Sequence, residues 1–201
     1  MKFAIAGNPN CGKTTLFNAL TGASAHVGNW PGVTVDKKEG VYKKGGLRAE
    51  IIDLPGIYSL SPYSPEEVIA SNYILNENPD LIINIVDATN LERNIYLTTQ
   101  LLESDCPIVV ALNMTDVARR DGIKIDARRL EEELGVSVVE ICALKKSGIE
   151  KLMDTVAKEA KKPRLGKSVL EESEISCCFE KICGFAKDAR HAKFRAVKAL
   201  E

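Results

Sequence analysis

The stretch of this chain best equipped for chemistry is Gly7-Asn8-Pro9-Asn10-Cys11-Gly12-Lys13-Thr14. A short apolar run, Phe3-Ala4-Ile5-Ala6, precedes it, and Thr15-Leu16-Phe17-Asn18-Ala19-Leu20 follows with helical spacing. Strand, glycine-punctuated loop and helix are the setting in which a phosphate-binding loop works. The glycines let consecutive N–H groups turn inward as an anion nest, and the helix adds its positive dipole end. Asn8, Asn10, Cys11, Gly12, Lys13, Thr14 and Thr15 are therefore the candidate phosphate contacts. Lys13 can reach the β- and γ-phosphates, and the Thr14 hydroxyl can ligate Mg2+. Read alone, the same letters could be a Gly-rich turn opening a helix, and residues downstream must decide.

Asp53, followed by Pro55-Gly56, is placed to hold Mg2+ through its water shell, because that ion keeps several waters and takes few protein oxygens. The Gly56 amide can approach a γ-phosphate with no side chain in the way. Asp-x-Pro-Gly alone is an ordinary turn; at a strand end after a phosphate loop it becomes a second phosphate-sensing element. Between the two lies Thr34, with Gly32 and Val33 before it. Its hydroxyl can join Mg2+ and its amide the γ-phosphate, ordering the segment in the triphosphate state; a surface threonine is the alternative.

Asn113-Met114-Thr115-Asp116 addresses the base. A carboxylate at Asp116 can accept from both N1–H and the exocyclic amine of guanine. Adenine lacks that donor pair and would leave the carboxylate unpaired. Asn113 is expected to tie the base loop to the phosphate loop. Within Cys142-Ala143-Leu144, the Ala143 amide is expected to donate to guanine O6. Together these residues describe a GTP site, with Lys13, Thr34 and Gly56 bearing on hydrolysis.

The elements that must position them follow from periodicity. Strands are expected over 2–6, 38–44, 48–53, 80–87, 106–112 and 136–141, the second and third forming a hairpin through Gly45-Gly46. Helices are expected to Leu20, from Pro65 with Ser64 as N-cap, and over 91–104, 126–135 and 147–161. Residues 22–36 lack clean periodicity and read as a polar, mobile segment. Apolar runs such as 80–87 suit parallel strands buried on both faces. The fold class is therefore α/β, a P-loop NTPase with a mostly parallel, doubly wound, six-stranded sheet flanked by helices. Ligands bind such sheets beyond the strands' carboxyl ends, where every motif above falls. The expected division is a GTPase domain over 1–163 and a partial helical domain over 164–201, joined by Pro163-Arg-Leu-Gly166.

A net charge of −1 on 201 residues offers no electrostatic grip on nucleic acid or anionic lipid. No apolar run is long enough to span a bilayer and no cleavable leader is evident, so the chain is expected to be soluble. Its six cysteines read as reduced thiols. Cys177, Cys178 and Cys183 cluster without a C-x-x-C pair or a histidine at ligand spacing, which favours packed thiols over a metal site.

The phosphate-loop, Asp53-Leu-Pro-Gly56 and Asn113-Met-Thr-Asp116 motifs resemble those of the Ras-like GTPase superfamily. More narrowly, Val27-Gly-Asn-Trp-Pro-Gly-Val-Thr-Val35, Tyr58-Ser-Leu-Ser-Pro-Tyr-Ser-Pro-Glu-Glu67 and Val86-Asp-Ala-Thr-Asn-Leu-Glu-Arg-Asn94 resemble the FeoB family of bacterial ferrous-iron transport proteins. The likeness thins after about residue 165. It implies an N-terminal cytosolic portion of a cell-membrane protein, coupling guanine-nucleotide state to iron uptake by an attached membrane region. Small accessory Feo proteins and a second copy of the chain are the further partners implied. It also associates Asn10 with K+ beside the phosphates; from chemistry alone, Asn10 is equally well a loop residue.

Two departures from the general GTPase pattern matter. Met114 stands where a lysine commonly packs, offering apolar contact but no charge-assisted hydrogen bond, so weak affinity and rapid exchange are expected. Ile57 follows Gly56 where many GTPases keep a water-orienting glutamine, so hydrolysis is expected to be slow. A non-catalytic switch that binds a partner, or a ribosome- or tRNA-associated GTPase, are the alternative readings. Glu66 and Glu67 are expected to serve the helix dipole, and neither His26 nor His191 has a convergent partner in sequence.

Overall fold

Phe3–Ala6, Leu81–Val86 and Ile108–Leu112 are buried without interruption, which fits strands covered by helices on both faces. In the computed structural model, which describes residues 1–22, 25–168 and 193–194, they form the middle of one sheet. Its strands are β1 (Lys2–Gly7), β2 (His26–Asn29), β3 (Asp36–Lys44), β4 (Leu47–Asp53), β5 (Leu81–Asp87), β6 (Ile108–Asn113) and β7 (Val138–Glu140). The order is β2-β3-β4-β1-β5-β6-β7. β4, β1, β5, β6 and β7 run parallel, and β2 and β3 are antiparallel additions at one edge.

The sheet thus has seven strands, one more than periodicity predicts. The extra strand is β2, inside the segment expected to lack structure, and all four of its residues are exposed. With neither face buried, no apolar alternation marks it in the sequence. The β3–β4 hairpin turns through Gly45 and Gly46 as expected, both at positive φ (60° and 75°).

The helices are α1 (Lys13–Thr21), α2 (Pro65–Asn72), α3 (Leu91–Leu102), α4 (Thr115–Arg120), α5 (Ala127–Leu134) and α6 (Ile149–Lys161). Leu16, Phe17 and Leu20 of α1 join Leu152, Met153 and Val156 of α6 in a core on one side of the sheet. Leu97 and Leu101 of α3, Ala70, Ala118, Leu134 and Trp30 fill the core on the other. Ser64 starts α2 with a capping box: its Oγ accepts from the Glu67 amide at 3.2 Å, and Glu67 Oε2 accepts from the Ser64 amide at 3.1 Å. α2 runs on into a single π turn, Tyr73–Glu77.

Residues 163–168 are docked against the sheet's flank. Arg164 donates to both oxygens of buried Glu159 (2.8 and 3.2 Å) and to the Ser137 hydroxyl (2.9 Å). Ser168 donates to Glu103. A Cβ on Gly166 would lie 2.2 Å from Leu102 Cδ2 and 3.0 Å from the Leu134 carbonyl, so only glycine passes there. Phe194 is buried in the Trp30-side core. The rest of the expected helical domain, with Cys177, Cys178, Cys183 and His191, lies outside the described residues.

The Arg164 hydrogen bond, supported by Ser137, holds the Glu159 carboxyl below its ordinary value of 4.5. A depressed carboxylate contributes stability that is present above that value and lost as pH falls through the lower folded one. Glu159→Gln is expected to lower stability by about 1–3 kcal/mol at neutral pH. Melting temperature followed from pH 7 to about pH 3 should fall less steeply in the variant than in the parent; parallel curves would deny Glu159 this role.

Candidate functional site

Because the five central strands are parallel, the carboxyl ends of β1, β4, β5, β6 and β7 share one edge of the sheet. β1 continues into the phosphate loop, where Asn10 (φ 65°) and Gly12 (φ 96°) both take left-handed conformations. Alternating handedness turns successive amides toward one side, and α1 begins directly after Gly12. A Cβ on Gly12 would lie 2.4 Å from the Asn113 side-chain nitrogen, so the loop and β6 meet without room for a methyl. Cys11 is buried behind the loop, and burial pushes its thiol up to about 11, which leaves it protonated packing. Asn10, Thr14 and Thr15 are exposed.

Lys13 is folded inward, its Nζ 4.0 Å from Asp53 Oδ1 and its side chain only 10% exposed. Burial raises the Asp53 carboxyl above its ordinary value, against the opposing charges of Lys13 and Lys38. Asp53 Oδ1 is buried with no hydrogen-bond partner. A buried carboxylate oxygen that accepts no hydrogen bond is the hard-oxygen chemistry that Mg2+ takes. Gly56 packs against Pro9, where an added Cβ would meet backbone at 3.1 Å. The Ile57 amide donates to the Gly7 carbonyl at 3.3 Å, and its side chain is 1% exposed, inside the core. Position 57 therefore presents only backbone to the phosphate loop.

At the base end, the Asn113 carboxamide bridges three segments. Its Nδ2 donates to the Cys11 carbonyl at 2.9 Å, and its Oδ1 accepts from the Ala143 amide at 2.9 Å. The first contact is the expected tie between base loop and phosphate loop. The second engages the Ala143 amide, the group expected to face guanine O6, with the Asn113 side-chain oxygen, so this amide too has a partner within the protein. Met114 takes a left-handed conformation (φ 60°) that starts α4 and places Asp116 in its first turn. Asp116 Oδ2 receives Lys145 Nζ at 2.7 Å, and that hydrogen bond holds the carboxyl below its ordinary range. Leu144 is 84% exposed.

Thr34, Gly32 and Val33 lie at the same edge of the sheet, in the turn before β3, because β3 starts beside Asp53, with Lys38 paired to it. They sit exposed at the tip joining β2 to β3, where Gly32 supplies the positive φ (77°) and the Trp30 amide donates to the Val35 carbonyl at 2.9 Å. Trp30 is buried edge-on against Tyr73, ring centroids 5.6 Å apart, which pins the hairpin to the π turn after α2. Two contributors escaped sequence reading. Gln100 Oε1 accepts from the Leu60 amide (2.7 Å) and the Ser59 hydroxyl (3.1 Å), anchoring the loop after Gly56 to α3. Lys145 is the other; its nearness to the Cys142-Ala143-Leu144 stretch was the only available signal. A groove of about 840 Å³ along Lys124–Arg128, Glu131 and Lys151 is an open, charged trough lined by none of these residues. Convergent chemistry, which that trough lacks, identifies the strand-end site instead.

A family model described as "Ferrous iron transport protein B" matches residues 1–156. A curated relative, the Fe(2+) transporter FeoB of Legionella pneumophila, is 53% identical over 156 residues, 76% of this chain and 21% of that protein. A Fe(2+) transport protein A/Fe(2+) transporter FeoB fusion protein of Porphyromonas gingivalis is 50% identical over 157 residues, 78% of this chain and 19% of that one. The chain spans about a fifth of the length of these relatives. Among solved structures, the cytosolic domain of L. pneumophila FeoB superposes with a TM-score of 0.89 at 42% identity, covering 98% of this chain and 79% of that one. A GDP-bound mutant of the S. thermophilus NFeoB domain gives 0.91 at 44% identity, over 99% of this chain and 78% of that one. The T. maritima cytosolic domain in GMPPNP form gives 0.89 at 37%, over 98% and 80%.

Asn113→Ala would strand the buried Cys11 carbonyl and Ala143 amide at once. A loss of about 2–4 kcal/mol is expected. Urea unfolding without added nucleotide measures it, because both contacts lie within the protein; an unchanged midpoint would show that the bridge is energetically idle.

Proposed function

The chain belongs to the FeoB N-terminal family, and from that premise we propose that it binds GTP and hydrolyses it slowly, its nucleotide state regulating or driving ferrous-iron transport by an attached membrane region. The observation that supports this best is the Asn113 bridge, which ties the phosphate loop to the Ala143 segment at the strand end that leads into Asp116. The GDP and GMPPNP forms of the family's solved domains support the same ligand class. The reaction is attack of water on the γ-phosphorus with GDP leaving, so the protein's task is positioning and charge stabilisation. The loop amides and Lys13 neutralise charge on the phosphates. Thr14 and Asp53, the latter through water, would hold Mg2+, which would supply positive charge against the phosphates. Asn10, exposed on the loop, would hold K+. Thr34, at the hairpin tip, would join them through its hydroxyl, and the Gly56 amide would approach the γ-phosphate. Asp116 reads the base; Cys142, Ala143 and Leu144 border it.

With Ile57 turned into the core, no glutamine acts from that position, which fits low turnover. The same observation favours one second reading, a switch that binds its partner in the GTP state and barely hydrolyses. In the proposed setting this chain lies on the cytoplasmic face of the cell membrane; among the described residues no helix is long and apolar enough to cross one. The fusion relative supports an accessory Feo protein as a partner. Self-association is a further candidate, and nucleic acid is not proposed.

Lys13→Ala should weaken GTP binding at least tenfold, since a charge-assisted contact contributes about 1.5–3 kcal/mol. Asp116→Asn should move preference from guanine to xanthine nucleotides in competition titrations; an unchanged preference would remove Asp116 from base recognition. Single-turnover hydrolysis should run faster in KCl than in NaCl at equal ionic strength, and Asn10→Ala should abolish the difference. Equal rates in both salts would refute the K+ role, and no turnover in either would favour the switch.

A further inference from the structure

Asp116 is the carboxylate on which base choice depends, yet its two oxygens are in unlike surroundings. Oδ1 is buried with no hydrogen-bond partner, whereas Oδ2 carries the Lys145 ammonium at 2.7 Å. The side chain as a whole is 32% exposed, so Oδ2 is its accessible oxygen. A guanine edge presents two parallel donors and needs one carboxylate oxygen for each. A purine therefore has to reach Asp116 past the ammonium.

The loop carrying Lys145 is built to let that group go. Its base is rigid: Cys142 and Ser147 exchange backbone hydrogen bonds of 3.0 and 3.1 Å, and the Ala143 amide is fixed to Asn113. Its tip stands in solvent, with Leu144 84% exposed and the Lys145 side chain 65% exposed. Among the described residues Lys145 has no acceptor besides Asp116. It can swing into water without breaking any other polar contact of the loop.

We propose that Lys145 is an internal competitor for the purine: its ammonium holds the carboxylate oxygen that guanine recognition requires, so base binding is coupled to release of Lys145. This rests on the reading of Asp116 as the guanine acceptor. The apparent dissociation constant is then the intrinsic one divided by the fraction of molecules with Lys145 released. An exposed ion pair is a modest competitor, so the expected effect is several-fold and not orders of magnitude. Removing the ammonium raises association by that factor and leaves dissociation of bound nucleotide unchanged.

The test is GDP titration and stopped-flow binding, with Mg2+, of the parent, Lys145→Met and Lys145→Arg. Lys145→Met is expected to bind GDP about three- to tenfold more tightly through faster association. Lys145→Arg, which keeps a cation on Asp116, should stay near the parent. In an Asp116→Asn background titrated with XDP, Lys145→Met should change affinity less than about twofold, since the pair it removes is already gone. Unchanged or weaker GDP binding by Lys145→Met, or an equal change in both backgrounds, overturns the proposal; the latter would mean that Lys145 acts through its general charge on the phosphates. Failure of the parent to bind GDP, or of Asp116→Asn to prefer XDP, would instead overturn the base reading on which the proposal rests.

Discussion

One carboxamide holds the functional edge of this molecule together. Asn113 receives the Ala143 amide and donates to the Cys11 carbonyl, so three segments 30 and 102 residues apart in sequence share a single side chain. All of these groups are buried, and water cannot replace the bonds if the carboxamide is lost. The contact with Gly12 is correspondingly tight, which makes the glycine a packing requirement as well as a conformational one. The loop before α1 and the segments that follow β6 and β7 are thereby tied to one another.

The two acidic groups of that body are set in opposite directions by their surroundings. Asp53 is raised by burial and keeps an oxygen without a hydrogen bond, a condition that favours a cation close by. Asp116 is lowered by its hydrogen bond with Lys145 and stays charged. Under the proposed function the first carboxylate serves the metal and the second receives donors from the base. Lys13, lying against Asp53, lessens the cost of burying that charge.

Between these points sit the segments that follow β2 and Gly56. The β2–β3 hairpin carries Thr34 at its tip and is pinned by Trp30 against Tyr73, while Gln100 clasps the loop after Gly56. Trp30 Nε1 and the Tyr73 hydroxyl are both buried without a hydrogen-bond partner, so the pin is apolar packing that leaves polar groups unsatisfied. Such a contact is cheaper to break than the Asn113 bridge, which satisfies every group it touches.

The local pattern by itself determined the phosphate loop, the buried parallel strands, the Gly45-Gly46 turn and the Ser64–Glu67 capping box, because each depends on residues a few positions apart. It also placed Asp53 and Asn113 at strand ends, since the apolar runs stop there. It could not show β2, whose exposed residues leave no periodic trace, nor the docking of 163–168, whose partners Ser137 and Glu103 come from elsewhere in the chain. Only the tertiary structure decided that Ile57 turns inward, that the Ala143 amide is committed to Asn113, and that Lys145 lies on Asp116. Those outcomes depend on which distant groups the sheet brings within hydrogen-bonding reach, and spacing along a chain carries no record of that distance.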